Sequence, residues 1–360
     1  MENNWSHENS GGGCFNGRIF HHIVSVENLF SAWKEFKKNK NRKPDVIAFS
    51  LNLEDNIFKL REELVSQNWK CSGYKNFSIK DPKPRSIHKA VVRDRVLYQA
   101  VYRVLYPIFD RTFIFDSYSS RNGKGTHAGI SRLNVFLRKL SHNYTRPVYA
   151  LKCDIKKFFD SIDHGILLEL IQEKVSCQET MQLLEKVIDS FHKILGKGLP
   201  LGNVTSQIFA NVYMNRFDWY VKKELKIKYY VRYCDDFVIL SSDIGNLTKL
   251  ILLLQKFLDK NLKLELHPDK ILIRKFHQGI DFLGAVLLPH RIVVRTKTKR
   301  RMIKKSTKLL EEFQIGRLTK ARLNQSISSY LGHLSHTKSK GITNLLRAKT
   351  REFARNSLMC

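Results

Sequence analysis

No two of the six cysteines stand at C-x-x-C spacing, and no histidine pair lies at zinc-finger distance from two of them. Neither a structural zinc nor a disulfide framework is supported. No apolar run approaches the ~18 residues needed to span a bilayer, and the N-terminus, rich in Asn, Ser and Gly, lacks the charged-then-apolar order of a signal peptide. The expectation is a chain without a membrane partner in a reducing, cytoplasmic setting. Internal repeats are absent, which excludes a repeat array. Acidic residues are scarce: 33 against 63 Lys and Arg, a formal charge of +30 that far exceeds what solubility requires.

That charge is unevenly spread. Residues 291–360 hold 18 Lys or Arg and three acids, so +15 of the +30 lies in the last 70 residues. A basic face of this size binds nucleic acid by releasing its condensed counterions. A hydrophobic fraction of 42%, with 11% aromatic residues over 360 positions, provides for a sizeable core and two or three subdomains.

Apolar residues recur at helical spacing through Leu29, Trp33 and Phe36, then Leu53, Ile57, Leu60 and Leu64. The alternation in 77–87 turns at a Pro-rich centre, which predicts a hairpin with a basic tip. Helices are expected over 92–109, 129–140, from 165 to 175 behind an Asp163 cap, and over 246–262, with Leu250–Leu254 as a buried helix stripe. Strands are expected at 147–155, 229–233, 237–240, 264–266 and 280–287. The basic end reads as helical over 298–313 and 319–353, broken at Gly316 and Gly332. Helices first, a sheet with helices in the middle and a helical end make an α+β plan.

Asp235-Asp236 sits at a tight turn between two apolar strands, a costly place for like charges unless something cationic is held there. A strand ending at Asp154 can deliver a third carboxylate. Magnesium prefers hard oxygen ligands, and two such ions about 4 Å apart can activate a primer 3′-hydroxyl and stabilise leaving pyrophosphate. An isolated Asp-Asp turn is more often merely hydrophilic, but the flanking pattern is specific here.

Tyr233-Cys234-Asp235-Asp236 between hydrophobic strands, 81 residues after Asp154-Ile155-Lys156-Lys157-Phe158-Phe159-Asp160, resembles the Tyr-x-Asp-Asp box and first acidic motif of reverse transcriptases. The likeness runs from about residue 26 to 346. It implies a right-hand polymerase: a flexible N-terminus at 1–17, N-terminal helices and fingers at 18–146, palm at 147–288 and a basic helical thumb at 289–360. It implies two Mg²⁺ ions, with Mn²⁺ able to substitute, held by Asp154, Asp235, Asp236 and the Ile155 backbone carbonyl. Lys83-Pro84-Arg85 followed by Arg93-Asp94-Arg95 looks like the fingers of the bacterial members, so Arg85 and Lys80 would touch the incoming triphosphate. Phe159 corresponds to the residue lying against the sugar, which implies selection of deoxynucleotides; the alternative is that Phe158 and Phe159 are both core, the better reading for Phe158. Phe282-Leu283-Gly284 resembles the primer grip. Lys270 corresponds to the segment that can protonate pyrophosphate, with a solvated surface lysine as the bland alternative. Lys124, in a glycine loop that is not a Walker loop, is a candidate template contact. Cys153 and Cys234 read as fillers of small buried spaces.

In Gly198-Leu199-Pro200-Leu201-Gly202-Asn203-Val204-Thr205-Ser206-Gln207, Leu201 and Gln207 stand where retroviral and group II intron enzymes usually carry Gln and Pro. This departure resembles the enzymes of diversity-generating retroelements, which copy a template RNA with errors at adenines and act with an accessory protein and a structured noncoding RNA. Leu201, Gly202 and Gln207 are accordingly nucleotide-binding candidates. The chain leaves no room after the thumb for a ribonuclease H or maturase domain, as expected for that class. Other readings are a phage-defence or group II intron-like bacterial reverse transcriptase with its own noncoding RNA, and an idle RNA-binding scaffold.

Overall fold

The computed structural model describes residues 18–80 and 84–356, with side chains through 349. The lead-in at 1–17 and the hairpin tip with Lys83 lie outside the described residues. In chain order the elements are α1 (Ile19–Val24), α2 (Val26–Lys37), α3 (Pro44–Leu51), α4 (Leu53–Val65), β1 (Tyr74–Ile79), β2 (Arg85–Ala90), α5 (Val92–Asp110) and α6 (Thr126–Leu140). They continue with β3 (Tyr149–Cys153), α7 (Phe158–Ser161), α8 (His164–Gln172), α9 (Gln178–Asp189) and α10 (Val204–Trp219), whose end runs into a π turn at Tyr220–Glu224. Next come β4 (Tyr230–Tyr233), β5 (Asp236–Ser241), α11 (Ile244–Leu262), β6 (Leu272–Lys275), β7 (Ile280–Phe282), β8 (Ala285–Leu288) and β9 (Arg291–Val294). The chain closes with α12 (Thr296–Gln314), α13 (Lys320–Ser335) and α14 (Lys340–Asn356). Mixed helices and antiparallel sheets make the fold α+β.

Two compact units are built from interleaved segments. One comprises residues through 121, 154–228 and 252–267; the other comprises 122–153, 229–251 and 268 onward.

In the first unit α5 packs on α2 and α10. Helix α10 is buried almost all round, from Thr205 and Ser206 through Ile208–Met214 to Phe217 and Asp218, as befits a helix without a single apolar stripe. Asp163 caps α8 as expected, its carboxylate accepting from Ile166 N–H at 3.2 Å. Arg93-Asp94-Arg95 proves structural. The fully buried Asp94 carboxylate accepts from Trp69 Nε1, Ser72 N–H and Arg93, while Arg93 also reaches Glu63 and Arg95 reaches Asp45 at 2.8 Å. A buried carboxylate is tolerable because every lone pair direction meets a donor.

The second unit holds a four-stranded antiparallel sheet, order β4-β5-β3-β6, with α6 packed on β4 and β5, and a three-stranded sheet, β7-β8-β9. Helices α12–α14 enclose two small apolar clusters, one around Met302, Leu334, Ile342 and Leu346, the other around Leu310, Leu323 and Ile327.

Several local expectations need correction. Residues 264–266 form no ladder strand; Leu266 makes a single antiparallel bridge to Ile155, and the strand flanking β3 on the side away from β5 is β6. Residues 280–287 are a hairpin rather than one strand, and β9 extends it. Gly332 lies inside α13, held by packing at Ile327 and Leu334, and the break falls at 336–339. Of Leu250–Leu254 only Leu254 is fully buried, and Leu252 is 73% exposed, because a five-residue run turns through more than a full helical turn and cannot all face one side. No helix among the described residues is long and apolar enough to cross a membrane.

Candidate active site

Within the second unit, β4 and β5 are joined through Cys234 and Asp235, with Tyr233 paired to Asp236. Cys234 has φ +58°, the left-handed conformation that two-residue hairpin turns demand and that most side chains resist. Strand pairing on both sides holds it there, so the turn presents Asp235 and Asp236 at one end of the sheet. Cys153, the last residue of β3, pairs with Phe237, and the next peptide bond leads to Asp154. Sequence and register therefore put the exit of β3 and the acidic turn at the same sheet end.

The sheet supplies two cations the sequence reading missed. Lys152, on β3, lies 3.3 Å from Asp236 Oδ2 and donates to the Asp281 carbonyl of β7 at 3.0 Å. Its ammonium joins the acidic turn to the Phe282 hairpin. Arg232 is fully buried, and its Nη1 donates to the Cys234 carbonyl at 3.0 Å. Tyr233 Oη accepts from Thr126 Oγ1 at 3.5 Å, tying the loop that carries Lys124 to the same hairpin. Cys153 is fully buried, as expected for a space filler. Burial, and then the charge of Asp235, push the Cys234 thiol well up, so it stays protonated and does not compete as a thiolate ligand.

Phe282, the first residue of the expected primer grip, is fully buried, while Leu283 and Gly284 (φ +51° and +87°) make a two-residue turn, with Phe282 paired to Ala285. Asp281 is ion-paired with Arg295, whose N–H donates to the Gly284 carbonyl at 3.0 Å. Lys270 ends a short 3₁₀ turn and is partly buried. On α12, Lys297, Lys299, Arg300, Arg301, Lys304, Lys305 and Lys308 are exposed while Met302, Ser306 and Leu310 face inward, so the basic end presents a charged face.

In the first unit Asp154 and Ile155 meet the segment 265–267. His267 N–H donates to the Asp154 carbonyl and Lys156 N–H to the Glu265 carbonyl, at 2.8 and 2.9 Å. This is the pattern of a non-hydrogen-bonded antiparallel pair, in which the Ile155 carbonyl takes no part. Phe158 is core, its ring edge-on to that of Phe159, which is half-buried. The Phe159 carbonyl accepts from Leu199 N–H at 2.8 Å, and the Leu201 carbonyl accepts from His88 N–H of β2 at 3.0 Å. The structure thus joins Phe159, Leu201, Gly202 and the base of the β1–β2 hairpin, whose outer end carries exposed Lys80 and Arg85. Gly202 has φ +117°, and a Cβ there would meet Ile87 Cγ2 at 3.1 Å, so the close approach of β2 requires glycine. Gln207 is exposed on α10, four residues after Asn203.

Asn203 is a further residue that sequence reasoning passed over. It is 3% exposed at the N-cap of α10 and makes no capping bond, and neither amide atom has a hydrogen-bond partner among the described residues. An unsatisfied buried amide costs about 1–3 kcal/mol. Expense without structural return points to function. Asn203→Ala is expected to keep or raise Tm while lowering kcat/KM for dNTP incorporation roughly ten-fold. A lower Tm with unchanged kinetics sinks this assignment; the signal available in the sequence was an Asn just before a buried helix.

Residues 79–287, more than half of the chain, match the family model described as reverse transcriptase (RNA-dependent DNA polymerase). The chain belongs to this family and is an RNA-directed DNA polymerase by class. It is 26% identical over 274 residues to Protein YkfC of Escherichia coli K12, covering 64% of this chain and 71% of that protein. To the group II intron-encoded protein LtrA of Lactococcus lactis it is 23% identical over 228 residues, 59% of this chain and 36% of that protein, so it spans little more than a third of that relative. Among solved structures, apo telomerase from Candida tropicalis aligns with a TM-score of 0.49 at 14% identity, covering 81% of this chain and 59% of that one.

Reverse transcriptases use divalent metal ions. The oxygen donors at the acidic turn fit such an ion, and the Lys152 ammonium beside Asp236 shows that this carboxylate accommodates a cation at contact distance.

Proposed function

We propose that this chain copies a retroelement RNA template into cDNA by nucleotidyl transfer, with Asp154, Asp235, Asp236 and the Ile155 carbonyl holding two Mg²⁺ ions, for which Mn²⁺ can substitute. The observation that carries the reading is the register Cys153 to Phe237, which puts the exit of β3 at the sheet end that bears the two-residue Asp235–Asp236 turn. Bound metal supplies Lewis-acid activation of the primer hydroxyl and charge neutralisation at the leaving pyrophosphate. The 3′-hydroxyl gives its proton to solvent, its oxygen forms a bond to the α-phosphorus, the bond from that phosphorus to the bridging oxygen breaks, and pyrophosphate leaves. Arg85 and Lys80 hold the triphosphate, Phe159 closes the space a 2′-hydroxyl would need, and Lys270 hands a proton to pyrophosphate. Phe282-Leu283-Gly284 hold the primer end, and the α12 face follows the RNA/cDNA duplex. Fingers at 18–146, palm at 147–288 and thumb at 289–360 are the matching subdomains.

The enzyme serves a diversity-generating retroelement and copies with frequent errors at adenines, assisted in the cytoplasm by an accessory protein and a structured noncoding RNA. Support comes from Leu201 and Gln207. A Gln amide can hydrogen-bond around the nascent pair, while Leu offers only contact area, and a lost hydrogen bond of 0.5–1.5 kcal/mol is worth roughly a factor of two to ten in discrimination. Leu201→Gln is expected to lower misincorporation opposite adenine by that factor in primer extension on RNA. An unchanged error spectrum removes the basis of the diversification reading.

Similarity to intron-encoded proteins favours a second reading: a group II intron-like or phage-defence reverse transcriptase copying its own noncoding RNA. Sequencing cDNA made from the RNA neighbouring the gene separates the two, since only the first expects adenine-focused errors. An inactive RNA-binding scaffold would show no metal-dependent incorporation at all.

A further inference from the structure

His164 opens α8 with its side chain buried, and both ring nitrogens face acceptors. Nε2 lies 2.8 Å from the Gly198 carbonyl and Nδ1 lies 2.8 Å from Asp189 Oδ1, at the end of α9. A carbonyl can only accept, so Nε2 carries the proton there, and in the neutral ring Nδ1 then turns a lone pair toward a carboxylate. Two acceptors at that distance repel unless a proton or a metal ion is shared between them. The ring of His192, on the loop after α9, is 5.7 Å from that of His164 by centroid. One ligand atom from each of His164, Asp189 and His192 falls within a 4.8 Å span.

A backbone carbonyl on the far nitrogen is the usual arrangement behind a metal-bound histidine, since it sets the tautomer and aims the near nitrogen. Two imidazoles and one carboxylate suit a borderline transition metal rather than magnesium, and exposed Asp189 and His192 leave a fourth position to water. We propose that His164, Asp189 and His192 bind one divalent transition metal, Zn²⁺ being the best match. The metal would tie α8, α9 and the loop leading through Gly198 to Leu201. The proposal does not depend on the polymerase reading.

The test uses tag-free full-length chain stripped with EDTA and then titrated with Zn²⁺, followed by calorimetry and thermal melting, with Co²⁺ as the spectroscopic probe. The wild type is expected to bind one Zn²⁺ saturably, to melt higher as the metal concentration rises, and to show visible Co²⁺ bands of a nitrogen- and oxygen-ligated site. His192→Ala and Asp189→Asn, both at exposed positions, are expected to weaken binding about ten-fold or more while leaving the metal-free Tm unchanged. Absence of saturable binding by the wild type overturns the proposal. Binding that survives His192→Ala also overturns it, and loss on His336→Ala instead would move the metal to the stacked His127–His336 pair.

Discussion

Asp235→Asn is expected to lower dNTP incorporation on an RNA template by roughly three orders of magnitude, with little change in Tm. The substitution keeps the shape of the side chain and removes one negative charge from a turn whose geometry is set by its backbone. Cys234 sits at φ +58°, and the flanking pairs Tyr233 to Asp236 and Arg232 to Phe237 lock the hairpin whatever stands at 235. What is lost is an anionic oxygen of the proposed metal site, and charge-neutral amide oxygen is a poor replacement for a hard cation. Single-turnover primer extension over a range of Mg²⁺ and Mn²⁺ concentrations provides the measurement. Activity within ten-fold of wild type would remove Asp235 from the metal site, and with it the proposed chemistry.

The second large effect is on stability. Arg232→Met should lower stability by about 3 kcal/mol or more, which for a chain of this size corresponds to a fall in Tm of about 5–10 °C. Met keeps much of the volume, so the loss isolates the guanidinium. Without it the Cys234 carbonyl loses its 3.0 Å donor, and the hairpin that bears the two aspartates loses its buried guanidinium. Arg232→Lys should fall between the two, because an ammonium replaces a planar fork with one point charge. Thermal melting monitored by circular dichroism, with polymerase activity assayed well below Tm, tests both claims. If Arg232→Met melts and polymerises like wild type, Arg232 is a passenger in the core.

Both residues lie within five positions of one another, yet only one was legible in advance. The acidic turn could be read because a two-residue hairpin between apolar runs is a local signal, and local backbone geometry follows from neighbours in the chain. Asp163 at the head of α8, the β1–β2 hairpin and the buried Phe158 were legible for the same reason. Arg232 looks like any strand arginine in one dimension. Its burial depends on the sheet neighbours and helix that cover β4, brought there by segments remote in sequence.

The same division holds across the molecule. Sequence alone determined the family, the α+β plan, the acidic residues and the basic end, because motif spacing, hydrophobic period and charge are written residue by residue. Tertiary structure decided that Lys152 joins Asp236 to Asp281, that Arg93-Asp94-Arg95 is scaffolding, that β6 rather than 264–266 pairs with β3, and that Asn203 is buried with its amide unsatisfied. Each depends on a contact between chain segments far apart in sequence, whose energy appears only once the backbone has closed the loop between them.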